Sequence, residues 1–137
     1  MQITQCLHTA VLISELKQAE HFYGNVLGLL KVDRALKFPG AWYQVGEFQL
    51  HLIVAPDSIR SELKNLEKWG RNPHLAFAVA NLEAAKNELI AHKFPIQMSA
   101  SGRAALFTKD PDGNIIELSE RGQGSGARDE RKNLGRN

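Results

Sequence analysis

The 137-residue chain is poor in cysteine, having only Cys6, and this single thiol excludes an internal disulfide and any zinc site built from several cysteines. Long hydrophobic runs are missing as well. None approaches the roughly 18 residues needed to span a bilayer, and the opening MQITQCLHTAVLIS has neither a basic leader nor a small-residue cleavage site. Charge of one sign is also lacking. From Ser119 onward there are five basic and three acidic residues, and this end accounts for the whole formal net charge of +2. The remaining body is neutral and offers no face that tracks phosphates. A cytoplasmic protein with no nucleic-acid or membrane partner is the expectation, ending in a flexible polar tail over 121–137.

What the chain does contain is a repeat. His8-Thr-Ala-Val-Leu-Ile-Ser14 is followed by Glu-Leu-Lys-Gln-Ala-Glu, and His74-Leu-Ala-Phe-Ala-Val-Ala80 by Asn-Leu-Glu-Ala-Ala-Lys. At an offset of 66 residues Ala10 meets Ala76, Leu16 meets Leu82 and Ala19 meets Ala85. Under the same offset Leu50-His51-Leu52 falls on Ile116-Glu117-Leu118. Each half therefore begins with His on a short apolar strand, and each later carries one polar residue between two apolar ones.

Hydrophobic spacing gives each half as strand, helix and three strands. In the first, a strand over 7–13 precedes a helix over 15–27, with Ser14 as its cap and Leu16, Ala19, Phe22, Tyr23 and Val26 as its buried stripe. Gly28 ends it, and strands follow near 29–35, 41–45 and 48–54. A linker helix is expected over about 57–70, with Ile59, Leu63 and Leu66 on one face. In the second half Asn81 caps a helix over 82–92, and strands follow near 96–99, 104–109 and 114–119. Asp110-Pro-Asp-Gly-Asn114 makes the last turn.

Alternation along the strands puts His8 with Ala10 and His74 with Ala76 and Ala78, on the less bulky faces. His51 and Glu117 stand at equivalent places in the later strands. His8, His51, His74 and Glu117 are thus candidate ligands of one metal site. Three imidazoles and a carboxylate suit Zn, Ni, Fe(II), Mn or Co rather than Ca or Mg. His21 and His92 have no repeat partners and receive no role.

The segments His8–Ser14, Ala19-Glu-His-Phe-Tyr-Gly-Asn-Val-Leu-Gly28, Gly46–Leu52, His74–Val79 and Asp110-Pro-Asp-Gly-Asn-Ile-Ile-Glu-Leu118 resemble the vicinal oxygen chelate superfamily. That group includes glyoxalase I, bleomycin-resistance proteins and extradiol dioxygenases. The resemblance implies an α+β fold in which two tandem βαβββ modules form a cup-shaped, mostly antiparallel sheet. It implies a single domain over 1–120, with modules over about 1–56 and 71–120, working as a homodimer. It also places metal ligands at His8, His51, His74 and Glu117.

The activity implied is a metal-dependent, glyoxalase-like lyase or isomerase acting on a small oxygenated substrate, with Glu117 both ligand and proton carrier. Glyoxalase I proteins usually carry Glu where this chain has His51, so the charge of the site differs. Two alternatives remain open. In an Fe(II) extradiol-type dioxygenase, His8, His74 and Glu117 hold iron and His51 is an acid/base. In a drug- or metabolite-binding resistance protein, Trp42, Tyr43, Phe48 and Phe107 wall a cavity. Arg103 either meets an anionic substrate group or faces solvent.

Overall fold

The computed structural model describes residues 1–55 and 64–121. They form two compact units. The first holds 1–55, Lys64 and the segment Asp110–Asn114; the second holds 65–109 and 115–121.

In the first unit β1 (His8–Ile13) leads into α1 (Leu16–Glu20) and a π-helical turn (His21–Val26), then β2 (Leu30–Val32), β3 (Gly40–Val45) and β4 (Phe48–Val54). In the second, a 3-10 turn (Trp69–Arg71) precedes β5 (His74–Val79), α2 (Leu82–Ala91), β6 (Ile96–Met98), β7 (Ala105–Lys109) and β8 (Ile115–Glu120). The sheets have matching orders, β1-β4-β3-β2 and β5-β8-β7-β6. In each, the first strand lies parallel to the last and the other two pairings are antiparallel. This is the expected βαβββ topology, twice.

Alternation explains what is buried. Thr9, Val11 and Ile13 turn inward on β1 while His8 and Ala10 stay exposed, and β5 repeats the pattern with His74, Ala76 and Ala78 outside. The core of the first unit is Ile13, Ala19, Phe22, Tyr23, Tyr43, Leu50 and Leu52, all nearly solvent-free. Each large side chain there contributes about 1.5–3 kcal/mol.

Four expectations need correction. Ser14 does not cap the first helix, because its N–H and hydroxyl both donate to the carboxylate of Asp112. Glu15 takes the capping role, accepting from the N–H of Lys17 and Gln18. The helix also does not stay α-helical to residue 27. From His21 the bonding widens, with Leu27 N–H donating to Phe22 O at 2.8 Å and Leu29 N–H to Tyr23 O at 3.0 Å. Phe22 and Tyr23 are both buried, with rings edge-to-face at 4.8 Å, and Gly28 at φ +74° ends the turn. β2 spans only three residues.

The last correction concerns the linker. Most of that expected helix, including Ile59 and Leu63, lies outside the described residues. The part that is described, from Lys64, is not an α-helix. The side-chain oxygen of Asn65 accepts from Glu67 N–H and Lys68 N–H, a local turn that competes with helix. Asn72 is buried and closes the loop by donating to the carbonyls of Asn65 and Trp69. The tail beyond Arg121 also lies outside the described residues. No helix among those described is long and apolar enough to cross a membrane.

The Asp110–Asn114 turn belongs to the first unit through its side chains. Asp110, 4% exposed, accepts from Tyr23 Oη at 2.7 Å, from Asn114 Nδ2, and from the backbone N–H of Asp112 and Asn114. Asn114 also donates to Leu12 O. Burial raises the Asp110 pKa, opposed by these four donors, and raises that of Tyr23 well above its ordinary value.

Candidate functional site

Register places the candidate residues the same way in both units. On the first sheet Ala10, His51 and Trp42 stand side by side across β1, β4 and β3; on the second, Ala76, Glu117 and Phe107 do so across β5, β8 and β7. His8 meets Trp42 edge-on, with centroids 5.3 Å apart at 70°, and His74 meets Phe107 edge-on at 5.5 Å and 88°. Each unit thus presents a histidine, an aromatic ring and a buried polar residue on one face. Trp42 and Phe107 are related by 65 residues rather than 66, because the chain from Phe107 to its partner Glu117 is one residue longer than that from Trp42 to His51. That slip hides their equivalence in the sequence.

His51 is 7% exposed, and its ring stacks on Trp42 at 3.9 Å and 12°, with Phe38 5.7 Å away. Among the described residues its buried Nε2 has no hydrogen-bond partner. Burial lowers its pKa from 6.5, and the nearby His8 and Arg34 lower it further, so the ring is neutral at pH 7. A neutral imidazole with an unclaimed nitrogen is a ready metal ligand. Arg34 lies 4.1 Å over Trp42 and donates to Gln49 Oε1 at 3.1 Å.

In the second unit His74 is exposed, and its Nδ1 lies 2.7 Å from Asn72 O. A carbonyl only accepts, so Nδ1 is the donor here, which in the neutral ring leaves Nε2 as the nitrogen with the lone pair. Glu117 is 8% exposed and accepts from Arg103 at 3.1 Å through Oε1, while Oε2 has no partner among the described residues. Ser101 Oγ holds Arg103 through its Nε at 3.2 Å. Arg103 therefore reaches a carboxylate of its own chain. His8 and His51 sit together in the first unit and His74 and Glu117 in the second. Among the described residues no group of three His, Cys, Asp or Glu side chains is gathered as a metal would need.

The aromatic expectations divide. Trp42 and Phe107 belong to the candidate faces, whereas Tyr43 points to the opposite, helix-covered side of its sheet. Sequence reasoning gave Asn72 no part, and only its closeness to His74 in the chain hinted at one. Gly70 is a further support. A Cβ there would come within 2.5 Å of the Phe107 ring, so the 3-10 turn packs directly on this aromatic. Gly70→Ala is expected to cost about 1–3 kcal/mol, read as a lower urea midpoint with an unchanged slope.

The family model described as Glyoxalase/Bleomycin resistance protein/Dioxygenase superfamily matches residues 5–118. Human mitochondrial methylmalonyl-CoA epimerase is 26% identical over 127 residues, spanning 82% of this chain and 72% of the epimerase. Among solved structures, a glyoxalase family protein from Bacillus anthracis has a TM-score of 0.72 at 23% identity, covering 88% of this chain and 98% of that one. Lactoylglutathione lyase from Agrobacterium tumefaciens has a TM-score of 0.63 at 22% identity, covering 87% and 95%. TnmS3, an antibiotic-binding protein from Streptomyces, reaches 0.66 at 20% identity, covering 88% and 98%.

Proposed function

Because the chain belongs to the Glyoxalase/Bleomycin resistance protein/Dioxygenase superfamily, we propose that it is a divalent-metal-dependent enzyme of the glyoxalase-like lyase or isomerase class, acting on a small oxygenated substrate. In this reading His8, His51, His74 and Glu117 hold the metal. The observation that carries it is the unclaimed, buried Nε2 of His51. Leaving such an atom unpaired costs about 1–3 kcal/mol, a cost that ligation removes. The fixed proton on His74 and the free Oε2 of Glu117 support the same donor set.

When bound, the metal supplies Lewis-acid stabilisation of negative charge on a substrate oxygen. The chain's own groups do the rest. His51 stays neutral beside Arg34 and His8 and so does not compete for protons. Asn72 holds His74 in one tautomer. Arg103 steadies one oxygen of Glu117; in this reading the other serves as ligand in the resting site and, once substrate displaces it, takes a proton from the substrate and returns it. The epimerase relative, whose name describes inversion of an acyl-CoA, makes proton transfer the step to assay first.

The test is metal analysis by mass spectrometry on natively purified protein. Near-stoichiometric transition metal is expected in the wild type and little in His8→Ala or Glu117→Ala. Nickel, zinc or cobalt would direct assays toward isomerisation and iron toward oxygen chemistry. Wild type that stays metal-free after reconstitution would sink the enzyme reading.

A further inference from the structure

Tyr43 neighbours Trp42 on β3, so its side chain lies on the sheet face opposite His8 and His51. There the π-helical turn and strands β2 and β3 border an open groove of about 570 Å³. Tyr43 is 1% exposed, yet among the described residues nothing hydrogen-bonds its hydroxyl. The ring is packed away, but the hydroxyl is not sealed in the core and keeps access to the groove. Gly24, in the π-helical turn, is what leaves it uncovered: a Cβ there would stand 3.3 Å from Tyr43 Oη. Widened helical turns of this kind recur at functional sites.

The rest of the lining defines the ligand chemistry. Lys31 pairs with Glu20 at 2.7 Å, while Lys17 makes no ion pair among the described residues. Two ammonium groups against one carboxylate leave one net positive charge, and Asn25 adds an amide. Burial and the Glu20 charge push the Tyr43 pKa to about 12, so the hydroxyl remains a donor at any physiological pH. We propose that this groove is a second ligand site, independent of the metal reading, which binds a small oxyanion, a carboxylate or phosphate group, through Tyr43 and Lys17.

The test is NMR titration of the isotope-labelled full chain with inorganic phosphate and, separately, with acetate, using chloride at matched ionic strength as the control. Saturable shifts confined to the groove amides, including Gly24 and Tyr43, are expected with at least one anion; which one identifies a phosphoryl or carboxylate ligand. Tyr43→Phe and Lys17→Gln should each weaken binding about tenfold. Lys17 is exposed, so its variant keeps the test valid if Tyr43→Phe folds poorly. Shifts that chloride reproduces, or variants that bind as tightly as the wild type, would overturn the proposal.

Discussion

His51→Leu should make the metal-free protein more stable and leave it unable to hold metal. The imidazole is buried with Nε2 unpaired, a cost of about 1–3 kcal/mol. Leucine fills similar space with no polar atom. It forfeits the stack on Trp42, about 0.5–1.5 kcal/mol, so a net gain of about 1 kcal/mol is expected in urea denaturation of chelator-treated protein. Metal affinity should fall by more than about 100-fold, since altering even a residue behind a ligand costs about 10–100-fold. The opposite signs make this the sharpest test of His51. A structural histidine would lose stability on replacement and leave metal binding unchanged. A position where the folded chain tolerates an avoidable defect is one where something other than folding selected the residue.

How the candidate residues could be found from sequence follows from the same repeat. His8, His51, His74 and Glu117 stood out because strand alternation and a constant 66-residue offset are local, periodic signals. The two halves, each a strand, a helix and further strands, follow from the same periodicity, the βαβββ modules are what the family resemblance implies, and the strand order within each sheet emerges only from the pairing. What escaped depended on side chains meeting across long separations. Ser14 is a sound N-cap by type, but Asp112, 98 positions away, claims both its donors. The π-helical turn could not be read from spacing, since Phe22 and Tyr23 fit an α-helical stripe equally well. The linker failed as a helix from Lys64 onward because Asn65 and Asn72 bond locally to backbone, a preference that apolar periodicity does not register. Arg103 was visible as a charge near a turn, but its partner Glu117, 14 residues on, emerges only from the β7–β8 pairing.

The largest loss of stability is expected at Asp110, which the sequence marks as the start of a turn and of a family-like segment but not as a buried hydrogen-bond hub. Its two carboxylate oxygens each accept twice, from Tyr23 and Asn114 side chains and from two backbone N–H groups. Asp110→Ala would strand four donors, of which the Tyr23 hydroxyl is deeply buried, at a cost of about 3–5 kcal/mol. Asp110→Asn keeps the shape but turns an NH2 toward two donors, and it should lose about 2–3 kcal/mol. The pH dependence separates charge from geometry. Because the folded pKa lies above the unfolded 3.8, the folded state binds more protons between those values, and stability from this group falls as pH rises through them. Asn does not titrate. The wild-type advantage over Asp110→Asn should therefore be greatest below pH 3.8 and shrink as the pH climbs past the folded value, measured as paired urea midpoints across that window. A gap that instead widens with pH would mean that the four donors outweigh burial and hold Asp110 below its ordinary pKa.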